Sequence, residues 1–119
     1  MKLLTKTIKD QLLHNGRIQA ALAEEGKDAI DFMPVVKIFT PDAGCTWLLS
    51  ELDPDDSDTA FGLCDLGLGF AELGYVQISE LESIRGRLGL PVERDRHFSP
   101  TKTLIAYADE AQATGHIQS

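Results

Sequence analysis

The chain has 119 residues, 43% hydrophobic and 25% charged, with a formal net charge of −8. That balance fits one globular domain whose core needs no metal or disulfide staple, and it excludes intrinsic disorder. No apolar run approaches the roughly 20 residues that span a bilayer, and residues 1–6 lack a signal-peptide pattern; with only two cysteines this points to a reducing cytoplasm.

Residues 1–26 read as a helical segment. Ile8, Leu12 and Leu13 form one apolar stripe, and Ile18, Ala21 and Leu22 a second. His14-Asn15-Gly16 between them is a stop signal, so an N-terminal helical pair is expected, as a hairpin or as one kinked helix. Residues 27–31 form a polar connector.

From residue 34 the period changes from 3.6 to 2, and residues 34–78 are expected to hold antiparallel strands. Val35-Val36-Lys37-Ile38-Phe39 is rich in β-branched and aromatic residues, and Pro41-Asp42-Ala43-Gly44 carries hairpin-turn chemistry. A four-residue loop there pairs Thr40 with Cys45, Ile38 with Trp47 and Val36 with Leu49. A second strand, 45–52, runs into the acidic loop Asp53-Pro54-Asp55-Asp56-Ser57-Asp58, and a third, 60–65, returns from it. Gly67-Leu68-Gly69 breaks the pattern before a fourth strand at 74–78.

Residues 79–89 read as a helix, with Ser79 and Glu82 placed for a capping box and Leu81, Ile84 and Leu88 as its buried stripe. Residues 92–98 suit a short edge strand. A last helix spans 99–114, opening at Ser99-Pro100, burying Leu104, Ala108 and Ala111, and closing at Gly115. The expected fold class is α+β: a four- to five-stranded antiparallel sheet with an N-terminal helical pair and two later helices. Strict alternation puts Val36, Ile38, Trp47 and Leu49 on one sheet face, and Val35, Phe39, Leu48 and Leu52 around Lys37 and Ser50 on the other. Both faces are thus largely apolar, which a half-solvated sheet avoids. The favoured arrangement packs helices on one face and leaves part of the other as an interface, including one between two copies of the chain. One helical layer on each face is the alternative.

Charge is segregated along the chain. The 47 residues between Lys37 and Arg85 contain no Lys or Arg and ten carboxylates, whereas the remainder carries a small positive excess. This repels nucleic-acid phosphates and suits a basic partner surface, or serves as a solvated acidic face.

The stretches Pro34-Val35-Val36-Lys37-Ile38-Phe39-Thr40-Pro41-Asp42-Ala43-Gly44, Thr46-Trp47-Leu48-Leu49-Ser50-Glu51-Leu52-Asp53-Pro54-Asp55-Asp56, Ala60-Phe61-Gly62-Leu63-Cys64-Asp65-Leu66-Gly67-Leu68-Gly69-Phe70 and Leu88-Gly89-Leu90-Pro91-Val92-Glu93-Arg94-Asp95 resemble a bacterial family, the domain of unknown function numbered 2958. The resemblance spans nearly the whole chain. It implies an accessory protein of a plasmid, integrative element or phage, encoded at times beside anti-restriction or DNA-processing proteins. It supplies no catalytic residues.

Few constellations carry chemistry. Cys45 and Cys64 lie 19 residues apart, His14, His97 and His116 are scattered, and no paired-ligand zinc pattern exists. The acidic loop fails the EF-hand pattern, with Asp58 where Gly is required and Cys64 where Glu is required. The glycines of 62–69 lack both a Gly-Lys-Ser/Thr ending and a dinucleotide fingerprint. No cofactor is expected, and no nucleophile motif is present. The leading reading is a non-enzymatic protein-binding factor that docks Asp53, Asp55, Asp56 and Asp58 on a basic protein surface, with Trp47 or Phe39 as anchors. One alternative is a small enzyme assembling Glu72, Asp65 and His97. Another is a nucleic-acid-binding accessory using the basic patch Arg85, Arg87, Arg94 and Arg96.

Overall fold

The computed structural model describes residues 3–119. The elements are α1 (Lys6–Glu24), β1 (Val36–Phe39), β2 (Thr46–Asp53), β3 (Asp56–Asp65), β4 (Glu72–Gln77), α2 (Ile78–Ser83), β5 (Glu93–Arg94) and α3 (Leu104–Thr114). The strands form one antiparallel sheet in the order β4-β3-β2-β1-β5. The fold is therefore α+β with five strands and three helices.

In place of an N-terminal pair there is one continuous helix, α1. Thr5 caps it, its hydroxyl accepting from the Ile8 N–H at 3.2 Å. Gly16 does not end the helix; its missing side chain lets α1 lie against β2. A Cβ at Gly16 would fall on the Leu52 carbonyl oxygen. Beside it, buried Asn15 donates from Nδ2 to the Ser50 carbonyl at 2.9 Å.

The β1–β2 register is the one read from the turn, with Val36 opposite Leu49, Ile38 opposite Trp47, and Thr40 N–H donating to Cys45 O at 3.0 Å. Further along β2 the ladder slips: Leu49 faces Gly62 but Glu51 faces Phe61, leaving Ser50 as the extra residue of a bulge. The slip reverses the alternation, so Leu52 joins Leu49, Trp47, Val36 and Ile38 in the core beneath α1. Strict alternation placed Leu52 on the other side.

Each face has its own helix. On the face opposite α1, Leu48, Leu63 and Ala71 pack against Leu104, Tyr107, Ala108 and Ala111 of α3 and against Ile117 of the tail. The favoured one-faced helical layer is thus corrected to one helix per face. The cover of the second face is incomplete, because α3 has 11 residues and the sheet is five strands wide. At the β3–β4 corner Phe61 is half-buried, Leu73 exposed, and Tyr75 75% exposed.

Two helix starts and one end differ from expectation. Ser79 does not cap α2; its N–H and hydroxyl both donate to Asp58, while Glu82 accepts the Leu3 N–H at 3.0 Å. These distant partners replace the capping box. α2 ends at Ser83, so Leu88 sits 80% exposed in the following loop. α3 starts at Leu104, capped by Thr103, and Gly115 ends it in the left-handed conformation.

Candidate functional site

Seven of the ten carboxylates of the basic-free window fall into two groups that share Asp58. Asp65 is 2% exposed; its Oδ1 accepts the Gly67 N–H at 2.8 Å and its Oδ2 the Ile117 N–H at 3.0 Å, pinning the C-terminal tail to the sheet. Asp42 accepts the Leu88 and Leu90 N–H groups at 2.6 and 3.4 Å and so holds the 86–90 loop on the β1–β2 turn. These carboxylates, with Glu82 and Asp58, hold distant backbone in place.

The β2–β3 hairpin presents the other group. Asp53, Asp55 and Asp56 are exposed and Asp58 is half-buried. Asp53 and Asp56 accept N–H groups two residues on, from Asp55 and Asp58, which shapes the tight turn locally. Among the described residues none of the four has a Lys, Arg or His nitrogen within 4.0 Å. Among the described residues the hairpin is therefore an acidic projection without an ion pair, with Lys6 and Lys9 lining the cleft beside Asp58.

Beside it lies an apolar groove of about 490 Å³. It forms because β1 stops short. Pairing between β1 and β2 ends at Leu49, and beyond it residues 28–35 cross the β2 edge from α1 to α3, with Leu104 N–H donating to Phe32 O at 2.9 Å. The groove is lined by Ile30, Phe61, Leu73, Tyr75 and Ile105, with the carboxylates Asp31, Glu51 and Asp53 and no Lys or Arg. Asp31 is occupied by the Ile105 N–H at 3.1 Å.

Glu51 is different. Among the described residues it receives only the Gln19 amide, at 3.2 Å, and Gln19 is already clasped to Ile30 by bonds of 2.7 and 2.9 Å. Burial raises the Glu51 pKa above the usual glutamate range, and the Gln19 amide offsets part of that rise. Cross-strand register aligns Glu51, Phe61 and Tyr75 in one row over β2, β3 and β4. The Phe61 and Tyr75 rings meet at 5.1 Å between centroids. Sequence reading missed this row because it needs the Ser50 bulge to put Glu51 on the same face as Phe61.

The other sequence candidates are not gathered into one site. Trp47 is 3% exposed in the core under α1, which corrects its assignment as a surface anchor. Phe39 is half-buried at the far side of the sheet, in a cleft of about 720 Å³ that also holds Lys37, Arg94, Arg96 and His97. Arg85 donates to the Glu82 and Ile84 carbonyls, and Arg94 to Leu3 O at 2.6 Å, so two of the four guanidinium groups of the basic stretch hold backbone. Arg87 and Arg96 are exposed. Glu72 stands on β4 and His97 follows β5, at opposite edges and about 19 Å apart at four strand spacings. That separation removes the acid–base trio. Burial raises the Cys64 thiol pKa, which suits an inert core residue. Among the described residues no three His, Cys, Asp or Glu side chains gather to hold a metal ion, and no helix is long and apolar enough to cross a membrane.

The chain is thus an α+β domain that carries an acidic hairpin beside an apolar groove. The chain belongs to the DUF2958 family, described as a protein of unknown function, whose model matches residues 3–118. No curated protein and no solved structure matches it.

Proposed function

We propose that this protein is a non-enzymatic accessory factor of a mobile element that docks its β2–β3 hairpin onto a basic protein surface, such as that of a host-defence or DNA-processing protein. The observation that carries the reading is the hairpin itself: Asp53, Asp55, Asp56 and Asp58 project together with no cation within 4.0 Å among the described residues. Uncompensated like charges on one projection create a field that steers a basic partner and that salt screens. The adjoining groove supplies the apolar area that charge alone lacks, since rim charges set encounter rate more than affinity. The mobile-element setting comes from the family resemblance.

Affinity capture from the native host at low ionic strength, with quantitative mass spectrometry, tests the reading. The quadruple Asp53→Asn, Asp55→Asn, Asp56→Asn, Asp58→Asn variant is expected to lose the partners that the wild-type chain retains. Equal recovery by both proteins rejects the hairpin as the contact.

A further inference from the structure

We propose that the row Glu51–Phe61–Tyr75 is a receptor for an arginine carried by a basic amphipathic segment of the partner, whose apolar side chains fill the groove against Leu73, Ile105 and Ile30. The proposal deepens the docking reading and rests on it for the partner's overall charge, but it concerns a different surface and can fail separately.

Charge complementarity names the occupant. The groove is lined by three carboxylates and no base. Asp31 and Asp53 each accept a backbone N–H, from Ile105 and Asp55. Glu51 accepts only a long bond from an amide held elsewhere, and its Oε2 receives no hydrogen bond among the described residues. A half-buried carboxylate with spare acceptor capacity beside apolar walls is poorly solvated, and a cationic donor relieves that cost.

Arginine fits this row better than lysine. Phe61 lies directly across from Glu51 and Tyr75 directly across from Phe61, so successive side chains stand about 5 Å apart. A guanidinium pairing with Glu51 therefore reaches over the Phe61 ring towards Tyr75, and its plane stacks where an ammonium offers only a point charge. Tyr75, 75% exposed, has an open ring face for that purpose. The wall also explains why the segment must be amphipathic: Leu73 and Ile105 are 41% and 49% exposed, and an all-polar chain leaves both in water.

The test titrates the ¹⁵N-labelled full chain with a synthetic Leu/Arg amphipathic peptide of about four helical turns. Two controls replace the one central Arg by citrulline, or every Leu by Ser. Amide shifts are expected to cluster at Glu51, Phe61, Tyr75 and Ile105. The citrulline peptide and the Glu51→Gln variant are each expected to weaken binding about ten-fold, as for loss of one charge-assisted pair in a partly desolvated site. Tyr75→Ser, at an exposed position, is expected to weaken it about three- to five-fold. The neutralised hairpin should change affinity by less and chiefly lower the salt dependence.

Undiminished binding by Glu51→Gln with loss in the hairpin variant overturns the groove proposal and leaves hairpin docking standing. Loss in Glu51→Gln with an indifferent hairpin variant supports the groove and removes hairpin docking. Failure of the wild-type chain to bind the peptide, or shifts elsewhere on the molecule, overturns the proposal. So does concentration-dependent self-association at these same amides, which would assign the groove to a second copy of the chain.

Discussion

The two ends of the sheet use the same side chain for opposite purposes. At the β1–β2 turn end, Asp42 and Asp65 lie under loops and bind backbone 46 to 52 residues away. Both neighbouring loops rest on that turn, the 86–90 loop on Asp42 and Gly67 against Gly44, and they expose Leu66, Leu68, Phe70, Leu88 and Leu90. At the β2–β3 end Asp53 and Asp56 bind backbone two residues away and Asp55 is exposed. Asp58 reaches Ser79, 21 residues on, and the sheet beside them is open. The reach of the bonds separates the two cases. A carboxylate that accepts an N–H from far along the chain, as Asp65 does from Ile117 and Asp42 from Leu88, works as a structural clamp, while one that shapes only its own turn keeps its field for a partner.

Substitution can break this comparison, and the largest expected effect lies in the frame that both ends share. Gly16→Ala drives a methyl into the Leu52 carbonyl, and it should cost about 3 kcal/mol in urea unfolding at constant slope. Asp65→Ala strips the Gly67 and Ile117 N–H groups of their acceptor. It should cost about 2 kcal/mol and lose hydrogen-exchange protection along residues 115–119. Asp42→Ala frees the 86–90 loop at about 1 kcal/mol, a change confined by hydrogen exchange to that loop. By contrast, a triple Asn variant at Asp53, Asp55 and Asp56, which leaves the Asp58–Ser79 bonds in place, keeps side chains able to make the same turn bonds and should stay within about 0.5 kcal/mol of wild type. A large loss there would erase the distinction between the two ends.

The smallest effect is a pH slope. The folded state holds the Glu51 proton more tightly than the unfolded chain does, because burial raises that pKa. Glu51 therefore favours folding below the usual glutamate pKa, and the advantage is lost as pH rises through the folded value. Glu51→Gln is expected to flatten this part of the stability profile between mildly acidic and neutral pH, with little loss of stability at neutral pH. A steeper decline than wild type would contradict the burial of that carboxylate.

Much of the fold was legible because local chemistry sets it. The Pro41–Gly44 turn fixed the register of β1 on β2, and Gly115 marked the end of α3 through its left-handed cap. What failed was the reading of residues whose partners lie far along the chain. Gly16 signals a stop to its neighbours but serves Leu52, 36 residues on. Ser79 and Glu82 have capping-box spacing, yet Asp58 and Leu3 take them. Trp47 looked available for contact because burial is not written in a single strand.

For the candidate site the same division holds. Composition and order along the chain determined the basic-free window, the acidic hairpin and the α+β class, since charge count, turn residues and periodicity act over a few residues. Which carboxylates became clamps, and that Glu51 came to share a row with Phe61 and Tyr75, was decided only by the tertiary structure. One extra residue at Ser50 shifts the pleat by half a period, and no local signal in the sequence specifies where a ladder will take up that slip.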